Sequence, residues 1–586
     1  MPLRARRHAA HPFHPRRLAV LAALLGAAQG AAQGTDAIQV NQLGFLPGAR
    51  KLAVVAVADG AAAARFAVRD AAGRTVLAGP LGAATTWAPS GQPVRVADFS
   101  ALRTPGTYRI AVDGVGESTP FPVSADAYRA LDAAAVRAYT MNRAGIALDR
   151  RVAGPYARAA GHPDDRVLVH ASAASAARPA RTVIASPKGW YDAGDYNKYV
   201  VNSGISTWTL LAAYAHFPAW FDALALDLPE DAGGGPRLPG LVHEVLWNLD
   251  WMATMQDPQD GGVYHKLTNQ GFDGMVMPDR ATAPRYVVQK TTAAALDFAA
   301  TLAAASRVLA RFDTAAPGRS ARWLAAAERA WQWALAHPDV VYRQPDDIRT
   351  GTYGDDRLDD EFAWAAAELL AATGKAAYRD PAPAAGAARS TQPDWGDVRM
   401  LGWIALAGQE RRLPDDARTA RRDLLAAADT LLARWQASPY RLAMADRDFV
   451  WGSNAVALNQ ALVLVQAYRF TQRRDYLDAA QSALDYTLGR NPLGTSYVTG
   501  FGARAPRHPH HRPSVADGIA APVPGWLVGG PNPGRQDAAD CKAGYRSALP
   551  ALAWLDDDCS YASNEVAINW NAPLVYVAAA LQVLQR

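Results

Sequence analysis

The chain has 586 residues, 50% of them hydrophobic and 20% charged, which is ample for a large buried core and for more than one domain. Its formal net charge of +5 is carried by five arginines near the start, Arg4, Arg6, Arg7, Arg16 and Arg17, and the rest is balanced. That balance leaves no basic field for nucleic acid or an anionic membrane and favours an uncharged substrate.

The basic start runs into the apolar stretch Leu18 to Ala28, then small residues and Gln up to Gly34. This is the pattern of a secretory signal, too short to span a bilayer, so residues 1–34 are expected to be removed and the protein to be secreted or periplasmic. From 36 to 124 the pattern is strand-like, with Lys51–Val57, Arg65–Arg69, Pro93–Phe99 and Gly106–Val112 punctuated by Gly, Pro and Asp. That spacing predicts a small antiparallel sandwich of immunoglobulin size. At Ser124 the period switches, and 125–586 is dominated by Ala/Leu/Trp segments at helical spacing. They begin near Asp126, Ser203, Leu241, Thr291, Ser320, Asp359, Asp394, Asp415, Ser453, Arg474 and Asn564, with Asp415 and Ser453 as N-caps. Long Gly/Pro/aromatic loops separate them, and such loops usually carry function. Residues 376–392, rich in Ala and Pro, read as a surface excursion. Cys541 and Cys559 are expected to form a disulfide in an exported protein, the alternative being two buried thiols.

Three stretches carry chemistry. In Gly189–Val200, Asp192 and Asp195 stand three residues apart between aromatics. If this segment enters a helix, both carboxylates share one face and can address one water; the alternative is a solvated loop with an Asx turn. In Trp554–Pro573, Glu565 opens an apolar helix among Tyr, Trp and Asn. Desolvation there would keep its proton on, as a general acid needs; the alternative is a charge placed for the helix dipole. In Ser496–Ser514, His508, His510, His511, Arg507 and Arg512 cluster in a loop able to clamp hydroxyls. A metal there is disfavoured, because the histidines lie in a Pro-interrupted loop without the i, i+4 spacing of a zinc helix.

Together these stretches resemble glycoside hydrolase family 9, the cellulase family with an (α/α)6 barrel. Asp192-Ala-Gly-Asp195 matches its water-activating motif, Ser496–Arg512 its histidine signature and Trp554–Ala572 its acidic signature. Gly262–Thr268, Gly529–Asn532 and Asn569–Pro573 are further likenesses, and Ile38–Pro47 looks like the opening of the immunoglobulin-like domain of one branch. The resemblance implies hydrolysis of β-1,4-glycosidic bonds with inversion, which needs roughly 6.5–9.5 Å between the two carboxyls. It makes Asp195 the general base, Asp192 the residue orienting the water and Glu565 the general acid. His510 and Arg512 would hold sugar hydroxyls, with Asp556 a marked carboxylate in support. Trp190, Tyr191, Tyr264, His265, Tyr353, Trp451 and Tyr561, in or beside these loops, are candidate sugar contacts. The acidic helix start with Asp360 and Glu361, helped by Asp397, resembles the place where family members hold structural Ca²⁺. No organic cofactor is expected.

The function expected is an endoglucanase acting as a monomer on β-1,4-glucan or its oligosaccharides. The alternatives are an exo-acting cellodextrinase, β-glucosidase or exo-β-glucosaminidase, and, in another class, a non-catalytic carbohydrate-binding protein. The intact set of Asp192, Asp195, His510 and Glu565 argues against the last.

Overall fold

The structure is a computed structural model that describes residues 37–58, 63–229, 238–379 and 391–585. The expected signal segment and most of the expected surface excursion lie outside the described residues. The N-terminal domain is a two-sheet sandwich. One sheet has the order β1 (Ile38–Gln39), β2 (Leu52–Ala56), β6 (Gln92–Asp98), β5 (Thr85–Trp87); the other has β4 (Thr75–Pro80), β3 (Arg65–Asp70), β7 (Gly106–Val112), β8 (Gly116–Glu117), with β9 (Phe121–Val123) also on β7. Alternation explains it: Phe66 and Val68 of β3 point into a core shared with Val55 and Ile110, while their neighbours face outward. Phe45 meets Phe99 and Phe121 edge-to-face at 5.3 and 5.6 Å, sealing the end of that core.

The chain then turns helical at Arg129–Met141. Helix Thr292–Leu309 shows why these segments read as they do. Thr291 caps it, its hydroxyl accepting the Ala294 N–H, and every residue but Arg307 is buried, so the helix is enclosed on all sides. By composition Thr292–Phe312 is long and apolar enough to cross a membrane, but its most apolar 18-residue window is 89% buried inside the molecule. Pro414–Ala437 is the opposite type, burying only Ala417, Ala420, Leu424, Ala428, Leu431, Leu432 and Trp435 along one stripe. Two expected caps are corrected. Asp415 lies inside the first turn behind Pro414, and Ser453 is the first helical residue, with Gly452 at φ 88° as the cap.

The buried helices follow one another in contact. Val200–His216 packs on Thr292–Leu309, which packs on Asp359–Thr373, which packs on Arg399–Ala407. Ser453–Thr471 packs on Ile568–Leu584, which returns to Val200–His216. A small sheet not anticipated from the sequence lies among the loops, in the order Val183–Ile184, Val167–Val169, Tyr286–Val287, Lys266–Thr268, Lys198–Tyr199. Its last strand runs directly into helix Val200–His216. The sandwich is fastened to the helical domain where Asn41 donates to Asp485 at 2.8 Å and Trp87 stacks on Tyr440 at 4.3 Å. Gln42 accepts the Arg504 N–H at 3.0 Å, steadying the foot of the histidine-rich loop. Cys541 and Cys559 form the expected disulfide.

Candidate active site

Asp192 and Asp195 do not share a helix face. They sit in a bend that precedes strand Lys198–Tyr199, and the helix starts only at Val200. Their side chains are brought together by partners instead. Asp192 accepts from Asn202 Nδ2 at 2.6 Å and from the Tyr353 hydroxyl at 2.7 Å, so both its oxygens are occupied. Asp195 Oδ2 accepts from Asn197 Nδ2 at 2.7 Å and the Tyr199 hydroxyl at 3.3 Å, whereas Oδ1 is buried with no protein partner. One oxygen is therefore fixed and the other is free to take a proton.

Glu565 also differs from expectation. It does not open the long helix but lies in the extended link between the short turn Tyr561–Asn564 and helix Ile568–Leu584. Oε1 accepts the Gly194 N–H at 3.2 Å, which joins the acid to the Asp192–Asp195 bend. Burial, and then the Asp195 charge, push the Glu565 carboxyl well above its ordinary value. Burial pushes Asp195 up as well, but Arg512, Asn197, Arg285 and Tyr199 all pull it back toward the ionised form. Asp192 is pushed up to about 8 by burial and by Asp195. Three carboxyls in one dry site cannot all ionise; the Arg512 and Arg285 charges, which act with its two donors, favour the ionised form at Asp195, while burial and the Asp195 charge favour the proton on Glu565.

The histidine loop is pinned over this pair. His510 Nδ1 lies 2.6 Å from the Asp558 carbonyl, which only accepts, so Nδ1 carries the hydrogen. Burial lowers His510 to about 4, leaving it neutral with Nε2 as an acceptor for a hydroxyl. Arg512 departs from the expected hydroxyl clamp. Its Nη1 donates to the Gly194 carbonyl at 2.8 Å and its Nε to the Asp273 carbonyl at 2.9 Å, so it fastens two loops. Asp556 is likewise a fastener and not a reacting group, accepting from the Arg507 and His508 N–H groups and from Asn564 Nδ2. His511 is buried on Asn142 and Ser514, so the three histidines do not form a cluster. Gly194 is needed because an added Cβ would stand 2.2 Å from the His510 carbonyl oxygen.

Four expected sugar contacts are buried in the framework. Trp190 donates its indole N–H to Glu244 at 2.8 Å and packs on Tyr139, and Tyr191 is held by His162 and Gly161. Tyr264 bonds Asp257, and His265 bridges Thr291 and the Thr352 carbonyl while stacking on Tyr342. None offers a ring face to a ligand. Trp451 is exposed, and Tyr353 and Tyr561 are half-buried. Tyr353 holds a φ of 45°, strain that aims its hydroxyl at Asp192. Trp451 is 42% exposed, with its ring 5.5 Å from that of Tyr561, which stands 6.1 Å from His510. The sequence reading missed Asn197, Tyr199 and Asn202. Their nearness to the acidic pair was the available signal, but amides and phenols are too common in loops to stand out.

At the expected calcium position, both carboxylate oxygens of Glu361 are buried without a partner, and so are both of Asp297, which the sequence reading did not consider. Asp360 accepts the Val398 N–H at 2.7 Å and lies close enough to Asp397 to feel its charge. Among the described residues no group of three or more His, Cys, Asp or Glu side chains is placed to hold a metal ion.

Comparison with known proteins defines the class. Residues 128–578 match glycosyl hydrolase family 9 and residues 33–117 match the cellulase N-terminal ig-like domain. The chain is 43% identical to the xyloglucan-specific endo-β-1,4-glucanase of Bacteroides ovatus, over 94% of each protein. It is 34% identical to a cellulose 1,4-β-cellobiosidase of Acetivibrio thermocellus, covering 93% of this chain and 67% of that one. A solved Bacteroides ovatus family 9 structure superposes with a TM-score of 0.86 at 42% identity, covering 94% of this chain and all of that one. The chain belongs to glycosyl hydrolase family 9 and is a glycoside hydrolase.

Proposed function

We propose that this protein is an exported, inverting, endo-acting β-1,4-glucanase whose substrates are cellulose-type glucans and their oligosaccharides, xyloglucan included. The observation that carries the mechanism is Asp195, with Oδ2 held by Asn197 and Tyr199 and a buried Oδ1 left free, joined through Gly194 to the protonated Glu565. Asp195 Oδ1 takes a proton from a water whose oxygen attacks the anomeric carbon. The bond to the glycosidic oxygen breaks as Glu565 gives that oxygen its proton, and Asp192 orients the water. His510 Nε2 accepts from a sugar hydroxyl beside the scissile bond. Tyr353, Trp451 and Tyr561 would contact the sugar chain beside these groups. The sequential packing of buried helices fits an (α/α)6 barrel, and the disulfide fits a secreted or periplasmic setting.

The test is product analysis on cellohexaose and on xyloglucan, with the new anomeric proton followed by NMR. Mixed product lengths with the α-anomer formed first are expected. A β-anomer formed first refutes inversion, and no release of sugar refutes the reading. The likeness to a cellobiosidase favours a second reading, exo action, which would release one product size from one chain end.

Asp360 and Glu361 would hold a structural Ca²⁺, with Asp297 or Asp397 beside them and backbone oxygens completing the shell. Buried carboxylate oxygens without partners are costly, and a hard divalent cation would satisfy them. Its contribution would be to stability, tying helix Asp359–Thr373 to its neighbours. Chelation should lower the unfolding temperature and added Ca²⁺ restore it; an unchanged melt after exhaustive chelation would count against the ion.

A further inference from the structure

Phe272 is 52% exposed, more open than any other large apolar side chain among the described residues, and Met275 three residues on is 37% exposed. The loop that carries them is not loose. Asn269 Nδ2 donates to the Asp273 carboxylate at 2.7 Å, Arg512 Nε to the Asp273 carbonyl at 2.9 Å, and the Tyr196 hydroxyl to the Val276 carbonyl at 2.6 Å. Its tip stands clear of the molecule, since a Cβ added to Gly271 or Gly274 would meet nothing within 4 Å. The Arg512 guanidinium carbon lies 5.7 Å from the Phe272 ring centroid. That same side chain donates to Gly194, between the two catalytic-loop carboxylates. An aromatic ring is thus held in the open, on an anchored loop, one side chain away from the reacting groups.

Leaving a large ring in water on a fixed support forgoes its burial, so it invites a ligand with an apolar face. In this position the ligand is the substrate chain, whose pyranose rings present C–H faces suited to an aromatic surface. We propose that Phe272, with Met275 extending the apolar strip, is the platform for a sugar unit beyond the two that flank the cleaved bond. The inference rests on the β-1,4-glucanase reading but concerns binding, so the two can fail separately.

The experiment is calorimetric titration of cellobiose, cellotetraose and cellohexaose into the Glu565→Gln protein, whose slowed turnover leaves time to measure binding, with and without Phe272→Ala. Phe272→Ala should weaken cellohexaose about tenfold, leave cellobiose unchanged, and be rescued by Phe272→Trp. No loss at any length, or the same loss at every length, overturns the platform. Failure of every oligosaccharide to bind overturns it together with the glucanase reading. A length-dependent Phe272 effect in a protein whose wild type cleaves nothing overturns the glucanase reading alone. Because Phe272 is exposed, its removal leaves no core cavity, and unchanged thermal unfolding of the variant will show it.

Discussion

Replacing Gly194 with alanine probes the whole site with one methyl group. The new Cβ would stand 2.2 Å from the His510 carbonyl oxygen, where ordinary contact begins at 3.4 Å. The bend and the histidine loop must then part by about 1 Å, because neither obstacle is the flexible end of a side chain. Three hydrogen bonds cross that seam: Gly194 N–H to Glu565 at 3.2 Å, and Arg512 N–H and Nη1 to the Gly194 carbonyl at 3.1 and 2.8 Å. A shift of about 1 Å between reacting groups costs on the order of 100-fold in rate, while overpacking at one point costs about 1–3 kcal/mol of stability. The assay is kcat on cellohexaose beside a thermal melt. The expected result is a folded protein, modestly less stable, with kcat down about 100-fold. A folded variant with wild-type kcat would show that this seam does not set the geometry of catalysis.

Asp195→Asn and Glu565→Gln should each cut turnover on cellohexaose by about 10²–10⁴-fold without unfolding the protein. An aryl glycoside with a good leaving group should rescue Glu565→Gln and not Asp195→Asn, and rescue of both would contradict the assignment. Asp195 works ionised, so activity is lost as pH falls through its raised pKa; Glu565 works protonated, so activity is lost as pH rises through its own. The profile of kcat/KM should therefore be a bell with both limbs above the ordinary carboxyl values of 3.8 and 4.5, and a flat profile would refute the pairing. Changing Cys541 and Cys559 to serine opens a link between residues 18 apart, worth about 3 kcal/mol in chain entropy, and the melting temperature should fall accordingly.

The two domains and the helical segments were legible because period carries them. Short apolar runs bounded by Gly, Pro and Asp mark Lys51–Val57 and Gly106–Val112, and helical spacing marks Thr292–Leu309 and Ile568–Leu584 to within a few residues. The carboxylates proposed to react stand out as motifs in the sequence, but their local structure does not. Asp192 is held by Asn202 and Tyr353 and Asp195 by Asn197 and Tyr199, and of these Tyr353 comes from a loop 161 residues away from Asp192. The small sheet was invisible because its strands are two or three residues long and carry no period. The aromatics misled for a related reason. A Trp or Tyr near a carboxylate is as useful behind a site as in front of it, and only tertiary packing put Trp190 and Tyr264 behind while leaving Trp451 in front.

Helix packing, and not either loop alone, fixes where the proposed base and acid are mounted. The Asp195 bend feeds the start of helix Val200–His216, and Glu565 precedes the start of Ile568–Leu584 by three residues. Those two helices pack directly on each other, and the Ile568 N–H donates to the Asp192 carbonyl at 2.9 Å, tying their starts together. Close-packed helices hold their spacing to within fractions of an ångström, whereas loops drift. An inverting hydrolase must keep a gap wide enough for one water and no wider. For the inverting reaction proposed above, mounting each carboxylate a few residues ahead of a buried helix would meet that need, and it would free the remaining loop length, the Phe272 segment included, to shape which sugars bind.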